Sequence, residues 1–343
     1  LDTTVVYEEK DGRPDTFVIT GDIDAMWLRD STAQVWPYIR YVKADPALRS
    51  LILGVINRQA ACVRIDPFAN AFNRLPGPSP WSEDRTEMQP EIHERKWEID
   101  SLCYVIRLAH GYWQTTGDNT FMDAGWHETA RLIVRTFREQ QRFTGEGPYR
   151  FQRKTCQASD TLPVGGAGYP VKPCGLIWSG FRPSDDACLL HFLIPSNAFA
   201  TVALRALAEL VEAVYSDHTL AREAIQIATE IENAITDHAV VAHSAYGPLM
   251  AYEVDGFGNR LLMDDANIPS LLALPYLGYC EPDAQLYKNT RAFVLSPDNP
   301  FFFRGTHGEG IGGPHVGPNM AWPMAVIMRA MTSRDKEEIT FCI

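Results

Sequence analysis

The sequence predicts an all-α fold, a toroid of helical hairpins of the (α/α)6 type, and three observations carry that expectation. Stretches with apolar residues at helical spacing come in pairs joined by short polar turns. Long segments rich in acids, glycine and aromatics lead into the first member of each pair. No fixed-length repeat is visible, which favours a closed ring of hairpins over a stacked solenoid.

The pairs follow in chain order. Residues 31–42 precede 46–63, and residues 98–114 precede 119–141 across the turn Thr116-Gly117-Asp118. Residues 201–240 keep helical spacing on both sides of Ser216-Asp217, which reads as the cap of a second helix. Residues 268–277 with 282–293 form a fourth pair, and 318–331 open a fifth, with a break at residues 332–335. Strand signal is confined to residues 16–20 and 247–254. The whole is expected to be one catalytic domain over residues 1–343, an incomplete ring truncated at both ends. In such a ring the long segments gather at one mouth.

Composition narrows what that mouth handles. The 343 residues are 45% apolar and 22% charged, ordinary for a packed globular chain. A formal charge of -12 without a Lys/Arg cluster excludes a nucleic-acid surface. No apolar run approaches the roughly 20 residues of a membrane span. The opening Leu1-Asp2-Thr3-Thr4 carries no signal-peptide core, which leaves the compartment open. Seven cysteines without a CxxC predict no zinc site, and Cys156 and Cys174, flanking a Gly-rich loop, are a pair that an oxidising compartment would allow. No cofactor is expected, since no glycine-rich dinucleotide loop follows a strand.

The leading segments are residues 21–31 (GDIDAMWLRDS), 66–73 (DPFANAFN) with 94–104 (ERKWEIDSLCY), 178–188 (WSGFRPSDDAC), 252–272 (YEVDGFGNRLLMDDANIPSLL) and 308–323 (GEGIGGPHVGPNMAWP). Carboxylates accept paired hydroxyl hydrogens and aromatic faces cover the C–H faces of a sugar ring, so this mixture suits a carbohydrate. Hydrolysis of a glycosidic bond with inversion needs two carboxyl groups, one donating a proton and one activating water. An adjacent Asp pair such as Asp185-Asp186 raises one partner's affinity for a proton, while a helix N-terminus opposes that. Taken singly, Asp30-Ser31 and Ser184-Asp185-Asp186 also read as plain helix caps, and Arg95 and Lys96 as structural ion pairs. Taken together, Asp24, Trp27, Arg29, Asp30, Arg182, Asp264, Asp265 and His315 are expected to line a sugar pocket.

The wording of these segments, in this order from residue 2 to about residue 333, resembles the glycoside hydrolase family 125 exo-α-1,6-mannosidases. The resemblance implies an (α/α)6 toroid that releases terminal α-1,6-linked mannose from a mannose-containing oligosaccharide or N-glycan, with inversion and without a metal. It implies an aspartate acid within GFRPSDDA, at Asp185 or Asp186. It places the glutamate base in a later segment that this chain does not reach; Glu309, beside the Gly-rich loop, is the substitute within the sequence, at a place where the family pattern does not put its base. The alternatives are a carbohydrate-binding or inactive fragment of such an enzyme, and another toroid glycosidase of glucosidase or trehalase type.

Overall fold

The structure is a computed structural model that describes residues 3–343. It opens with an antiparallel hairpin, β1 (Val5–Lys10) and β2 (Arg13–Val18), turned at Asp11 and Gly12, both at positive φ (52° and 74°). Two successive left-handed residues match the twist of a tight hairpin. Strand β2 lies on helix α2 (Pro46–Ile65), where a Cβ at Gly54 would stand 2.2 Å from Thr16 Oγ1. Glycine is what lets strand and helix touch.

Helix α1 (Leu28–Val35), continued by a 3₁₀ turn at Trp36–Tyr41, packs on α3 (Ile99–Thr116), and α3 packs on α5 (Ile194–Tyr215). These make an inner layer. Outside it α2 packs on α4 (Ala124–Gln140), and α4 on α6 (His218–His238), which runs along α5. Sequence and burial agree on the two layers. The first two turns of α3 (Ile99 to Ile106) and of α5 (Ile194 to Thr201) are buried at every residue. In α6 the buried residues Leu220, Ala224, Ile227, Ile231 and Ile235 fall on one face.

Helix starts differ between the inner and outer members of the first three pairs. The outer helices α2, α4, α6 and the short α9 (Lys336–Cys342) begin at Asp45, Asp123, Asp217 and Asp335, whose carboxylates accept the helix's first free N–H groups. The inner helices begin at Trp27, Glu98 and Leu193 without a side-chain cap, as does α8 (Pro323–Met331) after Trp322. The acids of the leading segments are therefore not spent on capping. Asp30 sits inside the first turn of α1, and Asp185 and Asp186 lie in a loop well before α5.

Short sheets, which periodicity did not predict, tie the segments together. Strands β3 (Met26–Trp27), β4 (Ala71–Phe72) and β5 (Ile92–Glu94) form one sheet. It joins the approach to α1 to the approach to α3. Strand β6 (Phe192–Leu193) pairs with a later strand at Glu253–Val254, itself paired with Arg260–Leu261, fixing the entry to α5. The fold is thus mainly helical rather than all-α.

A second correction concerns residues 268–277, expected as an inner helix. They form turns. Pro269 and Pro275 have no N–H to give a helix, and the carboxylate of Asp264 takes the N–H groups of Leu271 and Leu272 at 2.8 and 3.0 Å. The outer partner does form, as α7 (Gln285–Val294). Cys156 and Cys174 are free thiols, so the disulfide considered for them is absent from the structure.

Candidate active site

A cavity of about 260 Å³ opens where the entries to α1, α5 and α8 meet. Its wall includes Trp27, Arg29, Asp30, Asp185, His315 and Trp322, and its aspartates are Asp30 and Asp185. Tyr104, Arg107 and Tyr276, unforeseen from sequence, complete it. They come from helix middles and a turn, where nothing in a linear pattern marks a ligand contact. The Arg107 guanidinium lies over Trp36 at 4.3 Å and Tyr276 at 4.8 Å, an aromatic wall braced by one cation.

Asp185 is held in an unusual way. Its backbone is left-handed (φ 69°), a conformation costly for a residue with a Cβ. The main-chain carbonyl accepts a hydrogen bond from Lys96 Nζ at 2.9 Å, and Asn70 Nδ2 stands 3.5 Å from the carboxylate. Burial first, and the charge of Glu94 second, push the carboxyl up to about 6, against the pull of Lys96 and Arg29.

Behind it lies a buried polar network. Lys96 Nζ pairs with Asp160 at 2.7 Å and stands 3.6 Å from Glu94, while Arg153 bridges Glu94 (2.9 Å) and Asp84 (2.6 Å). Asn70 joins both sides, donating to Glu94 at 3.0 Å and accepting from the Lys96 main-chain N–H at 3.0 Å. Arg95 pairs instead with Asp66 at 2.6 Å.

Arg29 anchors the opposite wall. Its Nη1 donates to Glu98 at 2.6 Å and to Asp100 at 3.1 Å, and its Nε is 3.7 Å from Asp30. Burial alone would lower the guanidinium's pKa, yet the surrounding carboxylates hold it charged. Burial pushes both Glu98 and Asp100 up, Glu98 further. One cation shared by two buried acids cannot fully stabilise both as anions.

Several expected pocket residues stand elsewhere. Asp186 is buried behind the wall, its carboxylate 3.7 Å from His315 Nδ1, a contact that draws the imidazole's pKa upward. Arg182 is buried in an ion pair with Glu253 at 2.6 Å. Asp264 clamps backbone, and burial pushes it up to about 7. Asp265 acts one step back, accepting from the main chain and side chain of Asn267, both at 3.0 Å, and Asn267 does line the cavity. Asp24 is exposed and off the wall.

Glu309, the sequence's substitute for a base, is also away from the cavity. It lies on a short strand, Glu309–Ile311, clamped by Arg304 at 2.7 Å and Arg329 at 3.0 Å. Those two arginines hold its carboxyl below the usual range, and it borders a different cleft beside Phe341.

The pattern describing the metal-independent alpha-mannosidases (GH125) matches residues 1–343. The chain belongs to glycoside hydrolase family 125. This family 125 α-mannosidase is 42% identical to a metal-independent α-mannosidase of Streptococcus pneumoniae, solved in a non-productive substrate complex with α-1,6-mannobiose. The two superpose with a TM-score of 0.96 over 99% of this chain and 80% of that one. It is 41% identical over 359 residues to the meiotically up-regulated gene 157 protein of Schizosaccharomyces pombe, matching 99% of this chain and 70% of that protein. A bacterial glucoamylase complexed with acarbose shares the fold alone, with a TM-score of 0.52 at 13% identity over 90% of this chain and 40% of that one. That likeness supports a glucoamylase-like (α/α)6 architecture. Among the described residues no three His, Cys, Asp or Glu side chains stand together as a metal would need, and no helix is long and apolar enough to cross a membrane.

Proposed function

We propose that this mannosidase releases terminal α-1,6-linked mannose from the non-reducing ends of mannose-containing oligosaccharides such as N-glycans, with inversion, and that Asp185 is its general acid. The observation that carries the assignment is the position of Asp185 on the cavity wall, half-buried, with its carboxyl pushed up to about 6. A carboxylic acid that keeps its proton up to about pH 6 can give it to a leaving oxygen. Asp186 lacks that access. A cavity below the roughly 300–1,000 Å³ of drug-sized pockets suits a single sugar ring, as an exo-acting enzyme requires. The relative's α-1,6-mannobiose supports the linkage.

In this reading Asp30 and His315 bind the hydroxyls of the terminal mannose, Trp27 and Trp322 shape its apolar faces, and Arg29 fixes Asp30. The second carboxylate of an inverting pair would activate water across a gap of about 6.5–9.5 Å from the acid. Glu309 is not assigned that role. The test is hydrolysis of an α-1,6-mannobioside followed by NMR: β-mannose is expected as first product, and Asp185→Asn is expected to lower turnover about 10²–10⁴-fold while Asp186→Asn loses less. First release of α-mannose, or full activity in Asp185→Asn, would overturn the proposal.

A further inference from the structure

Arg142 follows α4 in a left-handed conformation (φ 59°) and is only 6% exposed. Its guanidinium lies over Trp178, 3.6 Å from the ring centre, and among the described residues Nε and Nη2 find no hydrogen-bond acceptor. Nε and Nη2 are sealed from solvent without a partner, which leaves Nη1 to reach an adjoining cleft of about 230 Å³. Leaving a buried charge unpaired is among the costlier arrangements a fold can hold. The cation–π contact with Trp178 offsets part of that cost.

Among the described residues the cleft gives Arg142 no direct ion pair. Its carboxylate, Glu146, is exposed and engaged by Arg150 at 2.7 Å. The rest of the wall is glycine, proline, valine, Ala167 and Tyr169. Three main-chain donors there are already used: Ala167, Gly168 and Tyr169 give their N–H groups to Val164, Pro163 and His191. The C-terminal carbonyls of α4, natural partners for a cation, receive nothing from this guanidinium. Burial, and the nearby Arg150, pull the Arg142 pKa down, and the Glu146 carboxylate offsets this only in part.

We propose that this cleft binds a small oxyanion of phosphate or sulfate type, free or carried on a larger molecule, with Arg142 as its anchoring cation. The site is separate from the sugar cavity and shares none of its wall. Calorimetric titration of the whole enzyme with inorganic phosphate, at constant ionic strength against chloride, tests it; sn-glycerol 3-phosphate in parallel distinguishes a carried oxyanion from a free one by which binds tighter. Saturable binding is expected in the wild type and is expected to weaken at least about tenfold in Arg142→Met, the loss of one charged hydrogen bond. Tyr169→Glu sets a carboxylate at the exposed edge of the cleft and should abolish binding without disturbing the core, so it decides the matter if Arg142→Met does not fold. Glu146→Gln, removing the competing acid, should tighten binding. No saturable binding by the wild type, or binding unchanged in both Arg142→Met and Tyr169→Glu, overturns the proposal.

Discussion

Lys96 reaches the main chain of Asp185, its ammonium donating to the Asp185 carbonyl at 2.9 Å while it pairs with Asp160 at 2.7 Å. One buried cation thus fastens the left-handed turn that presents the acid and lowers the acid's hold on its proton. Glu94, 3.6 Å from Lys96 and bonded to the same Asn70 amide that approaches Asp185, acts on that proton in the opposite sense. The groups facing Asp185 are Glu94, Lys96, Arg29 and Asp30, with Glu98 and His315 further round.

A pH profile of kcat/KM follows directly. The acid works only when protonated, and its carboxyl stands at about 6, so kcat/KM should fall as pH rises through about 6. A profile flat to well above neutrality would remove Asp185 from the role.

Opposite charge changes should move that limb in opposite directions. Lys96→Met removes a positive charge and the carbonyl anchor, so the limb should move to higher pH while kcat drops about tenfold or more. Glu94→Gln removes a negative charge, and its limb should move below about 6. A purely structural defect would lower activity in both without separating the limbs.

Arg29→Met leaves Glu98 and Asp100 buried with no cation, a loss of about 3–5 kcal/mol for breaking a buried pair. The sign with pH is definite. Both carboxyls already stand above their unfolded values and would rise further, so the folded state binds more protons and stability declines as pH rises through that interval. The drop in Tm relative to wild type should therefore be smallest in acid, where both groups are protonated, and largest at neutral pH. A loss independent of pH would contradict this account.

Glu309→Gln should leave kcat for mannoside hydrolysis unchanged and lower Tm, because the carboxylate serves Arg304 and Arg329 rather than the cavity. A fall in kcat of several orders of magnitude would return Glu309 to the reaction.

The sequence by itself determined the three helix pairs from α1 to α6, because amphipathic periodicity and capping are local, but not the inner helix expected at residues 268–277. The break at Ser216-Asp217 and the acid cap of α6 are where the spacing put them. It also determined the family, since runs such as GFRPSDDA are specific as written. Only tertiary structure decided which acids face the cavity. Asp185 and Asp186 are neighbours with one composition, yet a left-handed turn anchored by Lys96, distant in sequence, aims the first inward and leaves the second against His315. Asp264 and Asp265 divide in the same way, one holding the N–H groups of Leu271 and Leu272 and the other holding Asn267. Burial and ion pairing depend on what the chain brings back from far away, and no local pattern records that.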